Sequence, residues 1–437
     1  MPPAGAAAPF ATRVLSALLA IMFSGSALAQ DVLRGHGGPV RALAVRAEAR
    51  ELISGSFDTS VIVWDLDRGA AKQVLRFHDG AVNAIASMPD GCFASAGEDR
   101  RIAVWCGAAD TPAHVMEGHT GPVTSLAVLD GGRALASGSF DGTVRLWSLV
   151  PQFERKLAEH TGPVTALAAS PDGRGVISAG FDGMVRHSRI GADAGPGAVR
   201  LDGPVTALVV AADGAVVAAS SDGHVRIISH EWRSAPMQVV ADIEVDAIPL
   251  SSLALSPDGR LIATAGLRGG VAIIERASGK ITARLTGPGL PVWSLAFDGD
   301  NRTLLTGGAD RVIRRWDAVA GKPLGPTVPE PETVASTERG AIVFRACGAC
   351  HTLSAGDGPR AGPTLAGVLG RRIATAPGYI YSDALKTMDI VWTAETIAKL
   401  FELGPAAYTP GTKMPEQTIT DPADRQALVE WLAKVGR

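Results

Sequence analysis

The sequence carries no excess of charge: 41 Lys and Arg stand against 44 Asp and Glu, a formal −3. That balance offers no basic surface for nucleic acid and no polybasic patch for a membrane. Cysteine is scarce at four, and no compact His/Cys cluster stands in the middle of the chain to hold zinc. Long apolar runs are missing as well. The one candidate, Val14 to Phe23, is too short to span a bilayer. It follows Arg13 and precedes the small-residue site Ala27-Leu28-Ala29, so residues 1–29 read as a secretory signal peptide. An uncleaved anchor is the alternative. Export is expected, with a bacterial periplasm the simplest destination; no integral membrane span and no nucleic-acid partner are expected. Aromatic residues are few at 5%, while 51 Gly and 28 Pro suit many short strands and tight turns.

From residue 30 to 325 the chain repeats with a period of about 41 residues. The cleanest copy runs Gly118-His119-Thr120-Gly121-Pro122-Val123, then Leu135 to Gly142, then Val144-Arg145-Leu146-Trp147. Gly-His, an alternating strand, a Gly/Asp turn and a strand ending in Trp describe one four-stranded blade. Aligned on the turn, Asp58, Asp99, Asp141, Asp182, Asp222, Arg268 and Asp310 are equivalent, which gives seven units. Ser54, Ser95 and Ser137 stand four positions earlier in the first three, Trp64, Trp105 and Trp147 six later, and His36, His78 and His119 open them.

This pattern resembles the WD-repeat family of β-propellers, which implies a hydrogen-bonded His–Asp–Ser–Trp chain in each complete blade. Such a chain is scaffolding rather than a ligand set. Repeats four to six depart from it, with Ser188, Ile228 and Ile274 in the Trp position and Arg268 in place of Asp. Complete blades with fewer internal bonds are expected there. Sequence drift is the reading preferred over a specialised surface at Arg268, His187 and His224. Asp31 to Arg34 can supply the outer strand of the last blade and close the ring. Cys92 and Cys106 lie seven residues either side of Asp99, so a cross-strand disulfide and two buried thiols are both open.

Residues 326–336 form a Pro-rich linker, within a stretch holding Pro323, Pro326, Pro329 and Pro331, and residues 337–437 change to helical periodicity. Here Cys347-Gly348-Ala349-Cys350-His351 sets two thiols three positions apart with an imidazole next to the second, the spacing of a c-type haem attachment site. Thioethers from Cys347 and Cys350 would fix the porphyrin edge and place His351 beneath the iron. A zinc site or a thiol-redox pair is the alternative. Zinc needs further ligands, but no other Cys or His follows the linker, and a redox pair wants a thioredoxin-like βαβ context that is missing. Ser336 or Thr337 is expected to cap the first helix, Thr393 a later one, and Asp421-Pro422 to open the last. Gly340 is expected to let the first helix cross an aromatic of the last closely.

Gly362-Pro363-Thr364-Leu365, Gly370-Arg371, Tyr381-Ser382, Trp392-Thr393 and Tyr408 to Met414 complete a set that resembles class I cytochrome c of the mitochondrial type. The expected architecture is therefore multidomain: an all-β seven-bladed propeller followed by an all-α class I cytochrome c domain. The resemblance implies one covalent haem c with His351 and Met414 as axial iron ligands. It also implies Pro363 accepting from His351, Arg371, Tyr381 and Trp392 around the propionates, and Thr412 near a propionate or the Met414 loop. Met388, the other methionine of the domain, is expected in its core. Two features depart from the family. Phe401 stands where a tyrosine would bond the methionine sulfur, and from Pro331 onward 11 Lys/Arg balance 11 Asp/Glu, so no lysine ring is evident. The function implied is one-electron transfer between protein redox partners, with the propeller as a docking platform for a protein partner. The alternatives are a propeller-cytochrome oxidoreductase with a second catalytic cofactor and a haem-based sensor or assembly factor.

Overall fold

A computed structural model describes residues 32–149, 152–190, 197–229, 236–324, 336–354 and 359–435. The expected signal peptide and nearly all of the Pro-rich linker lie outside the described residues.

Seven antiparallel sheets form the blades of a propeller. In the first, Val40–Arg46, Glu51–Ser56, Val61–Asp65 and Ala70–Leu75 follow one another from innermost to outermost. Val40 and Ala42 are the buried residues of the inner strand, whereas every residue of the second strand is buried, being covered on both faces. A register shift recurs at the start of all seven inner strands, for example between Val40 and Ala42 and between Val164 and Ala166. These bulges increase the local twist. Hydroxyls then link one inner strand to the next: Thr124 Oγ1 donates to the Val164 carbonyl, Thr165 to Val205 and Ser251 to Val292, each at 2.6 Å.

Apolar side chains fill the space between neighbouring blades. Ile53, Val61 and Leu75 of the first pack with Val82, Phe93 and Trp105 of the second. The last blade is completed by the N-terminal strand Val32–Arg34, whose Leu33 pairs with Ile313 and is 1% exposed. Burying such a side chain contributes about 1.5–3 kcal/mol, so the closing strand is held by its core residue as well as its ladder. Cys92 and Cys106 flank the paired strands Phe93–Gly97 and Ile102–Trp105 and form a disulfide, with 4.4 Å between Cα atoms.

The described residues of the C-terminal domain carry five helices: α1 (Arg339–Phe344), α2 (Asp383–Lys386), α3 (Ala394–Leu403), α4 (Pro405–Tyr408) and α5 (Pro422–Val435). Irregular backbone joins them, together with one isolated bridge between Arg372 and Val391. Helix α3 starts at a capping box between Thr393 and Thr396, and Asp421 accepts from the Ala423 amide at the start of α5. The first helix differs from expectation. Its N-cap is Glu338 without a side-chain bond, because the Ser336 hydroxyl is spent on the Glu338 amide outside the helix. Gly340 is required where α1 crosses α5: a Cβ there would sit 2.2 Å from the Ala427 carbonyl oxygen and 2.4 Å from Trp431 Cβ. The crossing seals a core of Phe344, Leu428, Trp431 and Leu432.

Candidate functional site

A cavity of about 460 Å³ opens between the two domains. That size suits a cofactor. Cys347, Cys350, His351, Pro363, Arg371, Tyr381, Trp392, Thr412 and Met414, all the expected site residues, line it. Cys347 and Cys350 follow α1, where the chain continues in turns, and the His351 amide bonds back to the Cys347 carbonyl at 3.0 Å. His351 Nδ1 donates to the Pro363 carbonyl at 2.7 Å, which fixes the tautomer and leaves Nε2 for a metal. Burial lowers the His351 pKa despite that bond, so the ring is held neutral, the form that ligates. Burial also pushes the thiols up, Cys347 to about 11 and Cys350 to about 12.

The rest of the lining is largely apolar: Phe344, Leu365, Val368, Ile397, Leu400 and Phe401. Gly362 passes against the imidazole, where a Cβ would lie 2.5 Å from Cε1. Arg371 donates to the carbonyls of Ala366 at 2.8 Å and Thr364 at 2.6 Å, bracing the segment that carries Pro363. Thr412 Oγ1 accepts from the Met414 amide at 3.1 Å and so holds the loop that delivers the thioether. A largely apolar cavity with two thiols, a neutral imidazole and a thioether on its walls fits covalent haem c. Met388 is a correction. It is partly exposed and lies outside both the cavity and the apolar core, because the turn after α2 carries it toward the surface.

The propeller contributes to the same cavity, which sequence reasoning missed. Gly37, Asp58, Thr59, Ser60, Arg76 and Arg311 line its outer side. Arg76 donates through Nε to the Ala361 carbonyl at 3.0 Å and through Nη2 to that of Arg360 at 2.5 Å, and its guanidinium lies 4.0 Å from the Tyr379 ring centroid. The Ala361 amide donates to the Gly35 carbonyl at 3.0 Å. Lys413, beside Met414, reaches the His78 carbonyl at 2.8 Å and Asp79 at 3.4 Å.

The repeat histidines are structural. His36, His78, His119 and His160 each bond the turn aspartate through Nδ1, at 2.8–3.0 Å, and a serine through Nε2, at 2.7–2.8 Å. Trp64, Trp105 and Trp147 donate to those serines in the first three blades. In the fifth blade Arg226, 4% exposed, takes the histidine's role and pairs with Asp222 at 2.8 Å and Asp242 at 3.2 Å. His224 joins Asp242 at 2.7 Å. No group of three or more His, Cys, Asp or Glu able to hold a metal ion occurs among the described residues.

Comparison with known families agrees with this division. The family described as "WD domain, G-beta repeat" matches residues 29–65, 69–106, 110–148, 151–187, 198–229 and 279–317. Most of the sixth blade is unmatched, where Arg268 and Ile274 replace the turn aspartate and the tryptophan. The family "Cytochrome c" matches residues 337–436. A cytochrome c of Cochliobolus lunatus is 41% identical over 96 residues, 22% of this chain and 88% of that protein. One of Arabidopsis thaliana is 41% identical over 96 residues, 22% and 85% respectively. One of Sesamum indicum is 39% identical over 102 residues, 23% and 89%.

Proposed function

Because the chain belongs to the cytochrome c family through its C-terminal domain and to the WD-repeat family through its propeller, we propose that it is an exported one-electron carrier whose haem c is ligated by His351 and Met414. Cys347 and Cys350 hold the group through thioethers, and one-electron exchange is the chemistry that haem c supplies when bound. The Pro363 carbonyl orients His351 and increases its basicity; the Thr412 hydroxyl and the turn at Gly411 present Met414. Arg371, Tyr381 and Trp392, which line the cavity, would be the groups to hold the propionates. Ligation by both His351 and Met414 would leave the iron no open position for a substrate, and export to the periplasm would put the domain where such haem is attached.

The observation that carries this reading is the placing of His351, its Nδ1 already committed to Pro363, and Met414 on the walls of one apolar cavity. Domain boundaries at 30–325 and 337–437, a signal peptide over 1–29 and an all-α haem domain belong to the same proposal. The propeller then acts as a docking platform, which raises the effective concentration of a neutral cytochrome at a protein partner. No helix among the described residues is long and apolar enough to cross a membrane.

The test is the visible spectrum of the reduced, purified protein before and after carbon monoxide. One haem per chain and an unchanged spectrum are expected for wild type, and a shifted spectrum for Met414→Ala. A shift in wild type would overturn axial ligation by Met414.

A further inference from the structure

The side of the cavity left open by the cytochrome domain is lined by the propeller, and that surface is unlike the rest of the ring. In four blades the residue after the turn position is glycine with a left-handed backbone: Gly142, Gly183, Gly223 and Gly269, φ 71–88°. In the first, second and seventh blades Thr59, Arg100 and Arg311 adopt the same conformation, φ 66–68°. A side chain there strains the backbone, and such strain concentrates at working surfaces. Two of these three residues, Thr59 and Arg311, face the cavity.

Arg76 is the second independent feature. Burial lowers its pKa, and it makes no ion pair within 4.0 Å among the described residues, its guanidinium being held by backbone carbonyls and the Tyr379 face. A desolvated cation with no carboxylate in contact, only the more distant field of Asp58, is stabilised by further negative charge brought nearby. The one carboxylate on this wall, Asp58, is turned into its own blade, where it accepts from the Gly37 amide at 2.6 Å and the Ser60 amide at 2.9 Å. Two cations and one internally satisfied carboxylate leave the propeller wall net positive.

We propose that Arg76 and Arg311 are positioning residues of the haem site supplied by the propeller, and that they favour the reduced state of the iron and so raise its potential when the domains are docked. The proposal rests on the haem reading above. Ferric iron carries one positive charge more than ferrous iron, so a cation at the cavity wall destabilises the oxidised form, more through the half-buried Arg76 than through Arg311, which is exposed and screened by solvent. The potential of this cytochrome is then a property of two domains.

The test is the midpoint potential of full-length, haem-loaded protein by optical spectroelectrochemistry. The variants are Arg76→Gln, Arg76→Lys and Arg311→Gly. Arg311→Gly removes the charge while installing the residue that four other blades carry, so folding is preserved. Arg76→Gln should lower the potential, by up to a tenfold change in the redox equilibrium or about 59 mV, and Arg311→Gly should lower it by less because that side chain is exposed; Arg76→Lys should restore most of it. A packing role alone would not separate Lys from Gln. Unchanged potentials in both neutral variants, with haem content intact, would overturn the proposal. Absence of haem in wild type would instead sink the underlying reading.

Discussion

Gly37 of the first blade abuts the sulfur of Cys350: a Cβ added there would lie 1.9 Å from Sγ. The backbone at Gly37 is not left-handed, so alanine is conformationally permitted. The obstacle is the other domain. Gly37→Ala should leave both domains folded but hold them apart, breaking the bonds of Arg76 to residues 360 and 361. Separation removes Arg311 as well as Arg76, so the expected outcome is a potential below that of Arg76→Gln, with an unchanged far-ultraviolet circular dichroism spectrum. A wild-type potential in Gly37→Ala would mean that the contact yields without separation.

The turn aspartates make the propeller acid-sensitive. Burial alone would raise the Asp58 pKa, but the His36 ring and the Ser60 donors outweigh it and hold the carboxyl at about 2; His78 and two backbone amides do the same for Asp99, also at about 2. The unfolded value is 3.8. A folded pKa below the unfolded one stabilises above about pH 4, and that stability is lost as pH falls through about 2. For Asp58 it amounts to about 2 kcal/mol. Urea midpoints measured from pH 5 to 2 should fall more steeply in wild type than in Asp58→Asn, which is less stable at pH 5.

The repeats and the haem motif were legible because each is written locally or periodically. Cys347, Cys350 and His351 are neighbours in sequence, and the His, Ser, Asp and Trp of a blade recur at fixed offsets. Gly340 could be read because a glycine inside a helix facing an aromatic implies a close crossing. The interface could not be read. Arg76 is an ordinary rim position just before Phe77-His78, which opens the second repeat, and its acceptor, the Ala361 carbonyl, lies 285 residues away. Arg226 was hidden for a different reason: it satisfies Asp222 from four residues along the same hairpin, so the histidine's role is met by another residue type at another offset. Glu338 displaced the expected helix cap because a serine can serve a turn as readily as a helix.

Gly340→Ala should destabilise the cytochrome domain by about 1–3 kcal/mol, the usual effect of overpacking, since neither the Ala427 carbonyl nor the Trp431 Cβ can turn aside. Thermal melts followed at the haem absorbance would report it as a lower midpoint. Melts followed by tryptophan fluorescence of the propeller should move less.

Loss of the Cys92–Cys106 disulfide, whose residues are 14 apart in sequence, should destabilise the second blade by about 3 kcal/mol on loop-closure grounds. Paired Cys92→Ser and Cys106→Ser substitutions avoid leaving one thiol, and urea denaturation of the double variant against wild type gives the value. Haem content should not change, because neither cysteine lies in the cavity.

Docking and redox state must be linked in both directions. If the docked propeller favours ferrous iron by some factor, reduction tightens docking by the same factor. The amide of Ala361 reports on this directly, since its acceptor is the Gly35 carbonyl on the other domain, 3.0 Å away. Separation of the domains exposes that amide to water, whereas the Cys350 carbonyl bonded by the Gly362 amide at 2.8 Å stays within the cytochrome domain. Hydrogen exchange at Ala361 should therefore slow on reduction while exchange at Gly362 holds constant. In Arg76→Gln the difference at Ala361 between oxidised and reduced protein should shrink by the factor that the potential measurement gives. Equal exchange at Ala361 in both redox states of wild type would show that docking does not respond to the iron.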